Sequence, residues 1–333
     1  MANSLLGARI SAGAVAGCAA VVVALSGCGG QEVVGEDVGG QDVAEPEVVA
    51  VDDAPASECL PLNVVTGFYP LQFVAERVGS DQTTVSVLAG PGVEAHDLEL
   101  TPSQAAEVTD ADLVSYLPEF IPSLDEAINE LNPDAAFDAS AGLDLIAGES
   151  HDHGDSHSHE GEEALDPHVW LDPTNVSAIA NGLSARLGEL DPVCSTTYAD
   201  NAKALTEEMS TLDAEMSRGL ANCKITTMVV SHQAFGYLAN RYGLEQVGIS
   251  GLTPEAEPSP SRLVEVAKIS KSDGVTTIYY ETLVSPVVAE TLAAELGISA
   301  VMLDPLESKP ASGDFVSQMR VNLAALTKGQ DCG

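Results

Sequence analysis

The stretch STTYADNAKALTEEMSTLDAEMSRGL, residues 195–220, decides the architecture of this chain. Its apolar positions are Tyr198, Ala202, Leu205, Met209, Leu212, Met216 and Leu220, each three or four residues from the last. No proline or glycine interrupts the run before Gly219. Side chains at that spacing share one face of an α-helix, leaving the polar residues between them to face water. The pattern predicts one amphipathic helix of roughly 24 residues, ~36 Å long at 1.5 Å per residue. It reads either as one more packing helix or as a spine between two halves of the chain. Its length and central position favour the spine.

Strand and helix patterns alternate on both sides of it. Before it, LNVVT (62–66), TTVSVL (83–88) and DLVSY (112–116) read as strands, and PLQFVAERVG (70–79), 102–108 and 123–130 as helices. After it, ITTMVV (225–230), VTTIYY (275–280) and SAVML (299–303) are strand patterns, with helical ones near 233–242, 259–271, 285–296 and 315–327. Such alternation predicts an α/β fold, two lobes with mainly parallel sheets joined by a single long rigid helix. The helix also constrains the cysteines. Cys194 and Cys223 stand at its two ends, whereas a disulfide needs Cα atoms within about 7 Å. Pairing within lobes, Cys59–Cys194 and Cys223–Cys332, is the simplest solution; crossed pairing that ties the lobes together is the alternative.

The N-terminus has one charge, Arg9, ahead of an apolar run from Ile10 to Leu25. That run is short for a transmembrane helix, which needs about 20 residues, and suits a signal peptide. It ends Leu25-Ser26-Gly27-Cys28, which looks like a bacterial lipobox, so residues 1–27 are expected to be removed and Cys28 acylated. An ordinary signal peptide is the plainer reading, and Cys18 is a weaker second match. From Gly29 to Glu58 there are nine acidic residues and no basic ones, a composition that cannot bury enough surface to order itself. The expected organisation is therefore a signal peptide (1–27), a lipidated tether (28–58), an N-terminal lobe (59–194), a linking helix (195–220) and a C-terminal lobe (221–333).

The whole chain has 51 acidic and 13 basic residues among 333, a formal charge of −38. Nucleic acid is a poor partner for such a surface, because phosphate binding needs clustered Lys and Arg. Docking a basic face on anionic lipid is disfavoured for the same reason. The excess reads as a solvated acidic surface alone, with a contribution from cation handling as the alternative.

The seven histidines are more specific. His151, His153, His157 and His159 fall in one acidic run, HDHGDSHSHE (151–160), within a loop expected over 150–163. His96 follows a strand and a Pro-Gly turn, His168 lies between two Asp-Pro steps, and His232 directly follows a strand. Asp304 ends another strand. In open α/β sheets, ligands bind outside the carboxyl ends of the strands, and neutral imidazole is a common ligand for divalent metals. With the cysteines bridged, the donors that remain are His and carboxylate.

The segments VVTGFYPLQFVAERVG, GPGVEAHDLELTPSQ, ADLVSYLPEF, DPHVWLDP, SHQAFGYLANRYGL, PEAEPSPSRL and VMLDPLE together resemble the cluster A-I, zinc-uptake type solute-binding lipoproteins of bacterial metal ABC importers. The resemblance covers nearly all of 60–330. It implies two α/β lobes joined by one rigid helix, no enzymatic activity, and capture of a transported metal ion. It implies the ligands His96, His168, His232 and Asp304, with water able to share the last place. It also implies partners, a permease and an ATPase, for a lipoprotein held outside the cytoplasm on the cell membrane by its lipid; a monomer is the default expectation. Manganese members tend to have a carboxylate at the third position, where this chain has His232; three imidazoles and one carboxylate suit tetrahedral Zn²⁺. Ala95 departs from the proline common before the first ligand. Glu94 is an alternative donor, and Glu281 and Ser231 are candidates to orient the ligand histidines. The run 151–159 is similar to the His-rich loops of zinc members, an auxiliary metal loop or an incidental one.

Other classes fit less well. Manganese transport keeps the same fold. A secreted zinc hydrolase would need an open metal position and a general base, and the chain has neither HExxH nor GxSxG. An adhesin reading finds no repeats or adhesive modules.

Overall fold

The computed structural model describes residues 58–148, 164–254 and 256–333. The signal segment, Cys28, the acidic tether up to residue 57 and the histidines 151, 153, 157 and 159 lie outside the described residues. Two four-stranded sheets, parallel throughout, organise the rest. The first has strands β1 (Leu62–Thr66), β2 (Thr83–Val87), β3 (Leu113–Tyr116) and β4 (Ala136–Asp138) in the order β2-β1-β3-β4. The second has β5 (Thr227–Val230), β6 (Glu245–Gly248), β7 (Thr277–Tyr280) and β8 (Ser299–Met302) in the equivalent order β6-β5-β7-β8. In each sheet the order reverses between the two central strands, opening a crevice at their carboxyl ends where ligands bind.

Helices follow the strands: α1 (Tyr69–Gly79), α2 (Pro102–Asp110), α3 (Pro122–Leu131) and α4 (Pro173–Leu190) before the spine; the spine is α5 (Ser195–Leu220); and α6 (Gly236–Tyr242), α7 (Pro260–Ser272), α8 (Val287–Leu296) and α9 (Phe315–Gly329) come after it. Helix α5 has 26 residues, and its buried residues are the seven whose spacing marks the apolar face. Gly219 does not end it. A Cβ there would stand 2.8 Å from Leu323 of α9, so glycine lets the two helices approach.

Three elements depart from the sequence expectation. Helix α4 departs from the expectation because Gly182, Gly188, Asn175 and two serines, Ser177 and Ser184, dilute its apolar stripe; it packs back along α5 as a helical hairpin. Strands β4 and β6 depart from it too. One has three residues and the other begins Glu-Gln, too short and too polar for alternation to show. Both are edge strands.

A single apolar core runs from the first sheet through α5 to Tyr237, Leu238, Leu303, Leu306 and Met319 of the second half. A smaller one lies between the second sheet and α7 and α8, around Val229, Ile278 and Leu292. The lobes thus share buried surface and do not hang from a bare linker. Arg77 of α1, Arg241 of α6 and Arg320 of α9 each pair with an acid of α5: Glu208, Asp213 and Glu215. Exposed pairs contribute little stability, but these orient the spine from both lobes. Disulfides join Cys59 to Cys194 and Cys223 to Cys332, each within one lobe. Among the described residues no helix is long and apolar enough to cross a membrane.

Leu205 is fully buried on the spine. Leu205→Ala is expected to cost about 2–5 kcal/mol in chemical denaturation of the metal-free protein. A loss below ~0.5 kcal/mol, the usual effect at an exposed position, would contradict a spine embedded in the core.

Candidate metal centre

Four loops at the carboxyl ends of strands converge between the sheets. After β2 the chain turns at Gly92, whose φ of +80° is readily adopted only by glycine, and reaches His96. Glu94 accepts the backbone N–H groups of His96 and Asp97 at 3.2 and 3.1 Å, so its two oxygens brace the ligand loop. Burial first, and then the charge of Glu307, push the Glu94 carboxyl up to about 7.

His168 lies before a short turn, Val169–Leu171. Asp166 Oδ1 accepts both its backbone N–H at 2.9 Å and the ring Nδ1–H at 2.8 Å. A carboxylate can only accept, so this contact puts the proton on Nδ1 and frees Nε2 as a donor to a metal. Asp166 is in turn held through its carbonyl by the hydroxyl of Tyr237 on α6, at 2.9 Å.

His232 follows β5, and Glu281 follows the neighbouring strand β7. Pairing of Val230 with Tyr279 delivers the two side by side, with Glu281 Oε2 2.7 Å from His232 Nδ1. With Nδ1 against Glu281, the ring turns Nε2 inward, 3.3 Å from His168 Nε2. Ser231 plays a different part, donating its hydroxyl to the Tyr279 carbonyl at 3.2 Å.

The fourth loop follows β8 and departs from the sequence expectation. Asp304 does not join the histidines; Glu307 does. The physical reason lies in the turn. Asp304 Oδ1 accepts the N–H of Leu306 at 2.8 Å, the local bond by which Asp makes turns. Its backbone N–H and carbonyl are both held by the Asn322 amide of α9. Leu306 then takes a left-handed conformation, φ +64°, and the chain presents Glu307 to the site. The expected ligand builds the turn, and the residue beyond the turn supplies the carboxylate.

The resulting cluster is tight. Glu307 Oε1 lies 3.7, 3.6 and 3.5 Å from the Nε2 atoms of His96, His168 and His232. His168 and His232 Nε2 are 3.3 Å apart. A tetrahedral Zn²⁺ bound at ~2.0–2.1 Å separates its donors by about 3.3 Å. Four donors of the right chemistry, all within 4.8 Å of one another, therefore stand close to the spacing that zinc requires. His96 Nε2 and Glu307 Oε1 have no hydrogen-bond partner although buried, which a shared metal ion would remedy. Phe120 packs edge-on against His96, and Trp170 packs against His168, giving the site an apolar wall. His168, His232 and Glu307 are almost inaccessible; His96 is the least buried of the four and lines a cavity of about 390 Å³ with Glu119, Asp138 and Pro167.

Without metal the cluster needs a proton. Burial opposes charge on His232, but Glu281 and Glu307 outweigh it and raise its pKa to about 10. Burial likewise opposes charge on Glu307, yet contacts with His168, His232 and His96 hold it well below the usual carboxylate range. Burial is the largest influence on His96, and pushes it down.

Asp166 and Glu307 are the residues sequence reasoning missed. Asp166 was read only as half of an Asp-Pro step; its signal was its place two residues before a candidate ligand. Glu281 had been a candidate to orient a ligand and stands against His232.

The family model described as "Zinc-uptake complex component A periplasmic" matches residues 64–329. The zinc-binding lipoprotein AdcA of Streptococcus pneumoniae is 36% identical over 280 residues, covering 81% of this chain and 56% of the relative. This chain thus spans little more than half that relative's length. The high-affinity zinc uptake system protein ZnuA of Bacillus subtilis is 37% identical over 277 residues, covering 80% of this chain and 86% of the relative. Among solved structures, the Zn(II)-bound ZnuA-like domain of S. pneumoniae AdcA superposes with a TM-score of 0.68 at 33% identity, covering 81% of this chain and 99% of that one.

Because His232 holds a proton at neutral pH that a metal must displace, binding should release protons and weaken in acid. Affinity is expected to fall about tenfold per pH unit for each proton displaced. Calorimetric titrations in buffers of different ionisation enthalpy measure this; binding heats that do not depend on the buffer would contradict it.

Proposed function

The chain belongs to the periplasmic zinc-uptake complex component A family, and from that premise we propose that it captures Zn²⁺ outside the cytoplasm and hands it to the permease of an ABC importer. The ion is cargo, bound and released unchanged, so the role is that of a receptor and not an enzyme. The observation that carries the reading is the convergence of three imidazole Nε2 atoms and one carboxylate oxygen within 4.8 Å of one another. Its ligands are His96, His168, His232 and Glu307. The donor set favours zinc over manganese, since Mn²⁺ prefers more oxygen donors and a higher coordination number.

The rest of the role follows from the sequence. Acylation of Cys28 anchors the chain, the acidic segment 29–58 tethers it, and it acts as a monomer beside its permease and ATPase. The histidines at 151, 153, 157 and 159 serve as a weaker auxiliary site. The shared core supports a receptor whose lobes move little between capture and release.

Competition on metal-stripped protein tests this. Glu307→Gln and His232→Ala are each expected to weaken Zn²⁺ binding by roughly 100-fold or more, at or beyond the upper range for loss of a supporting partner. Asp304→Asn keeps the turn chemistry and should change it by less than about threefold. Tighter binding of Mn²⁺ than of Zn²⁺, or equal losses at Asp304 and Glu307, would overturn the assignment.

A further inference from the structure

Two hydrogen bonds cross from the first lobe to the loop that carries Glu307, one on each side of it. The indole Nε1 of Trp170 donates to the Pro305 carbonyl at 2.7 Å. The backbone N–H of Gly92 donates to Ser308 Oγ at 2.9 Å. Each starts in a segment that carries another ligand, since Trp170 lies two residues after His168 and Gly92 four before His96.

The Trp170 ring cannot swing, because it is buried between Phe68 and Phe120, both packed against it edge-on. Its N–H direction is therefore fixed by the first lobe. Between Pro305 and Glu307 stands Leu306, in a left-handed conformation that a leucine keeps only where its surroundings hold it. Pro305 is thus gripped just before the strained residue, and Ser308 just after the ligand.

We propose that Trp170 and Ser308 are positioning residues that clamp the Glu307 loop and so set the preference of the site for Zn²⁺ over Mn²⁺. This rests on the cargo-site reading above. Zn²⁺ is satisfied by four donors in a tetrahedron. Mn²⁺ requires more oxygens, which here means turning the carboxylate to offer both of its own and making room for water. Either change displaces the loop between Leu306 and Ser308, and the two cross-lobe bonds oppose that displacement. Selectivity then comes from the stiffness of the fourth donor as well as from its identity.

The test uses the full chain, stripped of metal, with Zn²⁺ and Mn²⁺ affinities measured against a chromophoric chelator, since Trp170 is the only tryptophan. Trp170→Phe removes the N–H and keeps most of the ring. Ser308→Ala removes the acceptor at a partly exposed position. Trp170→Phe is expected to speed Zn²⁺ release about tenfold and to narrow the Zn²⁺/Mn²⁺ affinity ratio by a similar factor, the usual scale for a partner that orients a ligand. Capture rates should stay within about twofold, as most affinity change falls on release. Ser308→Ala should shift both readouts the same way, by less. A lower Tm with unchanged release and ratio would overturn the clamp and leave Trp170 a packing residue. If Trp170→Phe does not fold, Ser308→Ala decides by the same criteria, and an unchanged ratio overturns the proposal. Glu307→Gln separates the two readings. Full Zn²⁺ affinity in that variant sinks the cargo site itself, whereas its loss beside wild-type behaviour of the other two variants sinks the clamp alone.

Discussion

Glu307 places a carboxylate among three imidazoles where almost no water reaches, and a buried charge is tolerated only if it is paired. Much of the local structure follows from meeting that requirement twice, with and without metal. Without metal, protons on the histidines serve as the counter-charge: Glu281 and Glu307 raise His232, and Asp166 and Glu307 raise His168, each against burial. With metal, the cation takes the protons' place. Asp166 and Glu281 point the Nδ1 sides of His168 and His232 outward from the site, so both rings meet either occupant through Nε2. The site is a prebuilt socket for positive charge.

A prebuilt socket needs walls that stay in place. The four donors come from both lobes, so any hinge motion would pull them apart. The continuous core through α5, the doubling of α5 by α4, and the arginines that grip the spine from α1, α6 and α9 all act against such motion. His96 is the least buried donor and faces the cavity beside Glu119 and Asp138. Strong negative charge outside fits this arrangement without being the cause of recognition, because the donors themselves are few and buried.

How much of this was legible in the sequence depended on whether a residue's role had a periodic or local signature. The buried face of α5 was read residue for residue, since seven apolar positions repeat without interruption. Strands β5 and β7 stood out because both of their faces are buried, and β1 because only the exposed Asn63 interrupts its apolar run. Helix α4 carried the same kind of information under two glycines and was passed over. The histidines were legible because each follows turn or strand-end signals. Glu307 was not, because the choice between two carboxylates three residues apart rests on the left-handed φ of Leu306 and the grip of Asn322 on Asp304, both properties of the folded chain. Asp304 had the better local context and the wrong job: its Asp-Pro step is turn chemistry.

X-ray absorption at the zinc edge of the loaded protein tests the central claim most directly, because it reads the donor set without reference to affinity. The account predicts four nitrogen or oxygen neighbours at ~2.0–2.1 Å with the outer scattering of three imidazoles, a pattern altered by Glu307→Gln and preserved in Asp304→Asn. Five or six neighbours, fewer than three imidazoles, or a pattern that changes with Asp304 and not with Glu307 would contradict it.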